Sequence, residues 1–231
     1  MYEDPKAVTI SGMQIFIDGE NLRHRLVSVL FQEKLIHDRD EIYAVDIRKL
    51  ITQALRQEPD SIRYYTTNIQ QPNFEIPELL THKIHAIQEA HERWLEMLDN
   101  QAIDTVKAGN LKVKQSNRCY HCGRRTMVLQ EKGVDVRLAA EVVMAATHDG
   151  ERDIVVLSSD ADMIPALEIA RKGGAKVTYM CFDEEVNESM VAATDVLVTY
   201  DRQHIIGNFK GRFQSEHLPK YHEHVKTLAH E

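Results

Sequence analysis

The stretch DIVVLSSDADM, residues 153–163, runs from a short β-branched apolar segment into Ser158 and Ser159 and then into Asp160 and Asp162. An apolar run of this length, closed by polar residues, reads as a buried strand, so both aspartates fall just past a strand's carboxyl end. Two further aspartates occupy comparable places. Asp18 follows the apolar run in MQIFIDGEN, and Asp135 lies in EKGVDVRLAAEVV at the opening of a strongly helical pattern. In open α/β sheets, ligands bind in the crevice outside the carboxyl ends of the strands. Asp18, Asp135, Asp160 and Asp162 are therefore expected to converge from three separate segments on one acidic cluster.

Outward from that stretch, strands and helices alternate. Met13–Ile17 reads as a buried strand followed by a helix over Asn21–Leu30. The spacing of Ile47, Leu50, Ile51 and Leu55 predicts a helix over 47–56, and Ile62–Thr67 reads as a strand. Ile76, Leu80, Ile84, Ile87, Trp94 and Leu98 mark a long amphipathic helix reaching about Ile103, with Pro77 in its first turn, where proline is tolerated. Short strands are expected at Lys112–Val113 and Met127–Leu129, and a helix over Val136–Thr147. Ile154–Leu157 then leads to a helix over Met163–Arg171, which Gly173 and Gly174 end in the manner of a left-handed cap. Val177–Cys181 and Val196–Tyr200 complete the strands. Strand, helix, Gly-Gly, strand is the βαβ signature of a mostly parallel sheet covered on both faces, so the fold class is α/β. The expected organisation is an extension over 1–12, one domain over 13–200 with a long helix and a basic cysteine loop at 73–132, and a tail over 201–231. The five histidines of that tail (His204, His217, His222, His224, His230) are scattered and not grouped as a metal site.

A hydrophobic content of 43% and a mean hydropathy of −0.39 describe a globular chain, and 231 residues suffice for a substantial core. No run approaches the roughly 18 apolar residues of a membrane span. The N-terminus MYEDPKAV lacks the basic-then-apolar order of a secretory signal, so no membrane partner and a cytoplasmic location are expected. Three cysteines do not form a disulfide framework, which suits a reducing compartment. The net charge of −8 is unevenly spread. Residues 107–132 hold seven Lys or Arg against the single acid Glu131, a balance of +6, whereas 133–200 hold thirteen acids and five bases, a balance of −8. An acidic pocket beside a basic strip suits a metal-dependent enzyme on phosphodiesters. Two solvated faces would give the same asymmetry.

Aspartates in this arrangement point to Mg²⁺ or Mn²⁺, hard cations that take carboxylate oxygen and water and share coordination with substrate phosphates. Such an ion lowers the pKa of a bound water and stabilises charge on a scissile phosphate. Asn21, three residues after Asp18, can hold a water or a phosphate oxygen without adding charge, and Ser158 and Ser159 can donate hydrogen bonds to the same carboxylates. Crowded carboxylates repel one another, so Mn²⁺ or Mg²⁺ is expected to stabilise the fold. Taken singly, each aspartate also reads as a helix N-cap, and Asp135 before Val136 fits that role well. Four at strand ends, with DGEN and SSDAD in this order, favour the metal site. Glu141 lies six residues after Asp135, about 600° further around a helix, on an opposed face.

IFIDGEN, EKGVDVRLAAEVVMAA and DIVVLSSDADMIPALEIARKGGAKV together resemble the NYN domains, and among them the LabA-like branch of the PIN-like nuclease superfamily, over about Met13 to Tyr200. The three motifs agree in type, order and placement, which makes the combination specific where each alone is weak. The resemblance implies a PIN-like, Rossmann-like three-layer α/β/α fold and metal-dependent ribonuclease activity, with Asp18, Asn21, Asp135, Asp160 and Asp162 at the acidic site. Ser159 stands where glycine is commoner, Met163 where phenylalanine is, and Glu141 where the branch usually has Asp. None of these departures removes a principal carboxylate.

CYHCG, Cys119 to Gly123, supplies half a zinc site, because tetrahedral structural zinc takes four ligands. The loop is either stapled by Zn²⁺, completed by His121, another histidine or a second subunit, or carries reduced thiols without metal. LabA-like proteins often carry a similar cysteine pair just before the KGVDV motif, which the resemblance adds on the side of zinc. Lys112, Lys114, Arg118, Arg124, Arg125 and Lys132 surround this pair and lead to Asp135, so they are the candidate RNA contacts. Trp94 or Met97, on the long helix, is the candidate contact of a homodimer. The reading is a metal-dependent endoribonuclease. A non-cleaving RNA-binding or protein-interaction module with the same fold is one alternative, and another Mg²⁺-dependent phosphoryl-transfer enzyme is the second. A haloacid-type phosphatase wants a D-x-D pair after the first strand, where this chain has DGE, and a Toprim domain wants Glu at the position of Asp18.

Overall fold

The computed structural model describes residues 12–69, 76, 78–115, 118, 120–123, 127–147 and 152–210, and for 40, 112–115 and 127–129 it describes the backbone alone. The strands are β1 (Met13–Asp18), β2 (Ser61–Asn68), β3 (Asp104–Asn110), β4 (Lys112–Gln115), β5 (Met127–Gln130), β6 (Asp153–Leu157), β7 (Lys176–Phe182) and β8 (Val196–Tyr200). The helices are α1 (Gly19–Gln32), α2 (Ile47–Leu55), α3 (Glu78–Asp99), α4 (Val134–Thr147), α5 (Ile164–Lys172), α6 (Glu188–Ala192) and α7 (Arg202–Gly207).

Six strands form one sheet in the order β3-β2-β1-β6-β7-β8, and every pairing in it is parallel. β4 and β5 make a separate antiparallel hairpin. Side chains alternate across the sheet, and both faces are buried, which is why the strands are near-continuous apolar runs. Ile15, Ile17, Val155, Leu157, Met180 and Phe182 join the core beneath α1, α2 and α3. Phe16, Ile154, Val156, Val177, Tyr179 and Cys181 join the opposite core beneath α4 and α5. The result is the expected three-layer α/β/α architecture. The strand order runs outward in opposite directions from β1 and β6, so their shared boundary is a topological switch point.

Several elements depart from the sequence reading. β3 is absent from it, because DTVKAGN contains no apolar run. This strand lies at the sheet edge, where Ala108 is its only buried residue. The long helix ends at Asp99, and not near Ile103. Arg56 is the left-handed cap of α2 (φ 56°) and not its last turn. Residues 201–210, expected in the tail, form α7 and a closing segment. Asp201 and His204 make a capping box, Ile205 is fully buried, and Val45 bridges Phe209. Trp94 is 1% exposed, packed against Tyr43 and Tyr64, so it is not offered to a second copy, whereas Met97 is partly buried against the same core. Among the described residues no helix is long and apolar enough to cross a membrane.

Candidate active site

Ile17 of β1 pairs with Leu157 of β6, so Asp18 and Ser158 leave the sheet side by side at the switch point. Ser158, fully buried, donates its hydroxyl to Asp18 Oδ2 at 2.9 Å. Asp18 Oδ1 accepts the Asn21 N–H at 3.1 Å and thereby caps α1. Ser158 Oγ in turn accepts the Asp160 N–H at 3.1 Å, and Asp160 Oδ1 accepts the Asp162 N–H at 2.9 Å. One run of hydrogen bonds therefore fixes the ends of both central strands. Glycine after Asp18 is required by packing: a Cβ on Gly19 would lie 2.3 Å from the Tyr65 carbonyl oxygen.

The opposite wall is set by a close backbone crossing. Gly109 adopts φ 63° and Gly133 φ 96°, both in the region that favours glycine. A Cβ on Gly109 would fall 2.3 Å from the Lys132 carbonyl oxygen, and the Asn110 N–H donates to that oxygen at 3.1 Å. This contact between β3 and the segment before α4 brings Glu131, Lys132 and Asp135 over the strand ends. The cleft so formed is about 540 Å³ and is lined by Asp18, Asn21, Asp135, Ser159 and Asp160 with Glu20, Tyr65, Thr66, Glu131 and Lys132.

Like charges in this cleft disfavour ionisation. Burial pushes the Asp18 carboxyl up, and the Asp135 and Asp160 charges add to that against the hydrogen bonds from Asn21 and Ser158. Asp135 is raised by burial and by Asp160 and Asp162. Glu131 is lifted from its ordinary 4.5 to about 7, by burial first and then by Glu20, Asp135 and Asp18. The carboxylates sense one another across a single site.

Of the expected acidic residues, Asp18, Asp135 and Asp160 share the cleft, as does Asn21. Asp162 does not line it and stands exposed on the turn that Asp160 caps. Asp135 is not a cap, since α4 begins at Val134 and places it within the first turn. Ser158 supports Asp18 and Asp160 as expected, and Ser159 lines the wall. Glu141 lies outside the cleft. Burial would raise its carboxyl, but the Tyr65 hydroxyl at 2.5 Å, Arg137 at 2.5 Å and Arg63 at 3.4 Å outweigh burial and hold it below the usual range. It therefore anchors Tyr65 from behind and is no candidate ligand. Glu20 and Glu131 join the site beyond the residues that the sequence marks for it. Glu20 has its signal in the DGEN motif, whereas Glu131 is hidden as the one acid of a basic run.

Among the basic candidates, Lys132 lines the cleft, Lys112 and Lys114 fall on β4, and Arg118 is exposed. Arg124, Arg125 and Cys119 lie outside the described residues. Cys122 is exposed with a free thiol, and Cys181 is buried in β7. Among the described residues no three His, Cys, Asp or Glu side chains are grouped to hold a metal, so neither a full acidic cage nor a zinc site is formed by them. Mg²⁺ needs no such cage, because it is commonly bound by one or two carboxylates, water and substrate phosphates. The oxygen donors of Asp18, Asp135 and Asp160 fit that mode.

The family model described as the NYN domain matches residues 12–201. A crystal structure of a protein of unknown function from Vibrio parahaemolyticus is similar at 14% identity and a TM-score of 0.44, covering 82% of this chain and 92% of that one. No curated protein matches.

Proposed function

This chain belongs to the NYN domain family, and on that premise we propose that it is a metal-dependent ribonuclease, cutting RNA internally in the cleft at the switch point of its sheet. NYN domains belong to the PIN-like nuclease superfamily. The observation that carries the proposal is the meeting of Asp18, Asp135 and Asp160, from three distant segments, in one cleft at the carboxyl ends of the strands. The KGVDV segment after a C-x-x-C supports placement in the LabA-like branch, and the absence of a membrane-spanning helix among the described residues is compatible with a cytoplasmic enzyme.

In this mechanism Asp18, Asp135 and Asp160 would hold Mg²⁺ or Mn²⁺, which when bound would supply a water of lowered pKa and neutralise charge at the scissile phosphate. Ser158 keeps Asp18 and Asp160 in register, so the carboxylates need little reorganisation when charge gathers in the cleft. Asn21 presents a neutral amide to a water or phosphate oxygen, and Lys132 at the rim attracts the RNA backbone. Asp162 contributes field from outside the cleft. Arg118, Lys112 and Lys114 extend the backbone contact, together with Arg124 and Arg125.

End-labelled RNA incubated with purified protein in Mn²⁺, Mg²⁺ or EDTA tests the proposal. Internal products in either metal and none in EDTA are expected. RNA bound without metal-dependent products would instead establish a non-cleaving binding module.

A further inference from the structure

Glu141 lies on α4 six residues past Asp135, about 9 Å further along the helix axis, and its side chain is 13% exposed. Three donors converge on its carboxylate: the Tyr65 hydroxyl at 2.5 Å and Arg63 Nη1 at 3.4 Å on Oε2, and Arg137 Nε at 2.5 Å on Oε1. An ionised carboxylate only accepts, so it satisfies all three at once, and together they keep it ionised against burial. Burial first, then the bond to Glu141, push the Tyr65 hydroxyl up, so it stays a neutral donor. Two of the three partners come from β2, and Tyr65 is the residue that stands beside Asp18 in the parallel register of β1 and β2. Its ring stacks at 6.2 Å on Phe16, two residues before Asp18, and the Arg63 guanidinium lies 5.8 Å over the same Phe16 ring. The carboxylate thus ties the helix that carries Asp135 to the strand neighbour of Asp18.

Past the Gly109–Lys132 crossing, α4 is held by side chains that carry little directional information. Leu138, Val142, Ala145 and Ala146 enter a core shared with Ala166 and Ala170 of α5. Apolar contact of this kind is non-directional, whereas hydrogen bonds fix distance and angle. A helix seated on such a face is free to roll about its axis unless a polar tie stops it, and a roll at Glu141 swings Asp135 across the cleft. We propose that Glu141 is a positioning residue, which by tying α4 to β2 aims Asp135 at Asp18 and Asp160 and so sets how tightly the cleft takes a divalent ion. This role rests on the metal-dependent reading of the cleft, and Glu141 itself touches neither ion nor RNA. A glutamine cannot replace it, because a carboxamide offers one acceptor oxygen and turns an N–H toward the remaining donors.

The test uses the full chain carrying Glu141→Gln and, separately, Tyr65→Phe. Mn²⁺ binding is read by loss of the free ion's electron paramagnetic resonance signal, and cleavage by saturation kinetics on labelled RNA, both well below each variant's melting temperature. Glu141→Gln is expected to raise the Mn²⁺ Kd by about tenfold and, at saturating Mn²⁺, to lower kcat by about tenfold with KM within about twofold. Tyr65→Phe should move Kd and kcat in the same direction by about threefold or more, and the double variant should fall no further than Glu141→Gln, since both act through one tie. Ile205→Ala, destabilised in the core on the other face of the sheet, should leave both values unchanged and so reports what lost stability alone does. Tyr65→Phe deletes a single oxygen, so its result stands even if Glu141→Gln folds poorly. Unchanged Mn²⁺ Kd and kcat in folded variants would overturn the positioning role and leave the nuclease standing. Weaker Mn²⁺ binding in Glu141→Gln with equal or tighter binding in Tyr65→Phe would overturn it too, because the carboxylate freed from Tyr65 would then be a ligand itself. Weaker binding in both variants of a protein that cuts no RNA would uphold the tie and overturn the nuclease, and a wild-type chain that takes up no Mn²⁺ would overturn both.

Discussion

Glu131 carries the most informative titration in the molecule, because burial beside Glu20, Asp135 and Asp18 lifts its carboxyl from 4.5 to about 7. A carboxyl with a raised folded-state pKa contributes its stabilisation below the unfolded value and loses it as pH rises through the folded one. The metal-free protein is thus expected to lose stability between about pH 4.5 and 7, with Asp18 and Asp135 acting in the same direction. Glu131→Gln should raise the melting temperature at pH 8 and change it little at pH 4.5, measured by thermal denaturation in EDTA. An equal effect at both values would show that the charge is not the cause. A divalent ion should counter the same repulsion. Mn²⁺ at about ten times its Kd adds about 1.4 kcal/mol by mass action, or a few degrees in a chain of this size. The rise in melting temperature should be larger at pH 8 than at pH 5, and no rise with either Mn²⁺ or Mg²⁺ would remove the proposed ion site. At this scale the aspartates were legible because a carboxylate just past an apolar run stands where a buried strand emerges at its carboxyl end. Glu131 was not, because its acidity emerges only when a distant strand end is folded against it.

Gly109 and Gly133 place one wall of the cleft, and their role belongs to the elements that cross there. Gly109→Ala combines a left-handed φ with a Cβ 2.3 Å from a carbonyl oxygen, so β3 or the segment before α4 must shift. Chemical denaturation should register a loss of about 1–3 kcal/mol, and cleavage should fall further than stability alone accounts for, because Asp135 moves with the backbone. Wild-type activity in a folded Gly109→Ala protein would separate that wall from the chemistry. The sequence made the buried strands plain, since a parallel sheet covered on both faces writes itself as apolar runs. β3 escaped because an edge strand with one buried side chain leaves no such mark. Glu141 stands outside the cleft that Asp135 lines because its partners Arg63 and Tyr65 come from β2, and these contacts have no sequence signature.

Across the whole molecule, Asp18, Asp135 and Asp160 are brought with Lys132 to one cleft at the end of a sheet whose strand order reverses between β1 and β6. The three-layer plan followed from the order of strands and helices, whereas the closure of the chain did not. Residues 201–210 are polar and aperiodic in sequence, yet they bury Ile205 and return to α2 through Phe209 and the Lys210–Asp46 ion pair at 2.7 Å. Ile205→Ala should therefore lose about 2–4 kcal/mol in denaturant unfolding while kcat at low temperature is unchanged, as the site lies elsewhere. A surface-like loss below about 0.5 kcal/mol would return that segment to the tail. The central claim is that the cleft at the switch point is the reaction centre, and single-turnover RNA cleavage by Asp160→Asn beside Asp162→Asn tests it most directly. Asp160→Asn should slow cleavage by about a hundredfold or more with its melting temperature preserved, and Asp162→Asn by far less. Equal rates for Asp160→Asn and the wild type would contradict the claim.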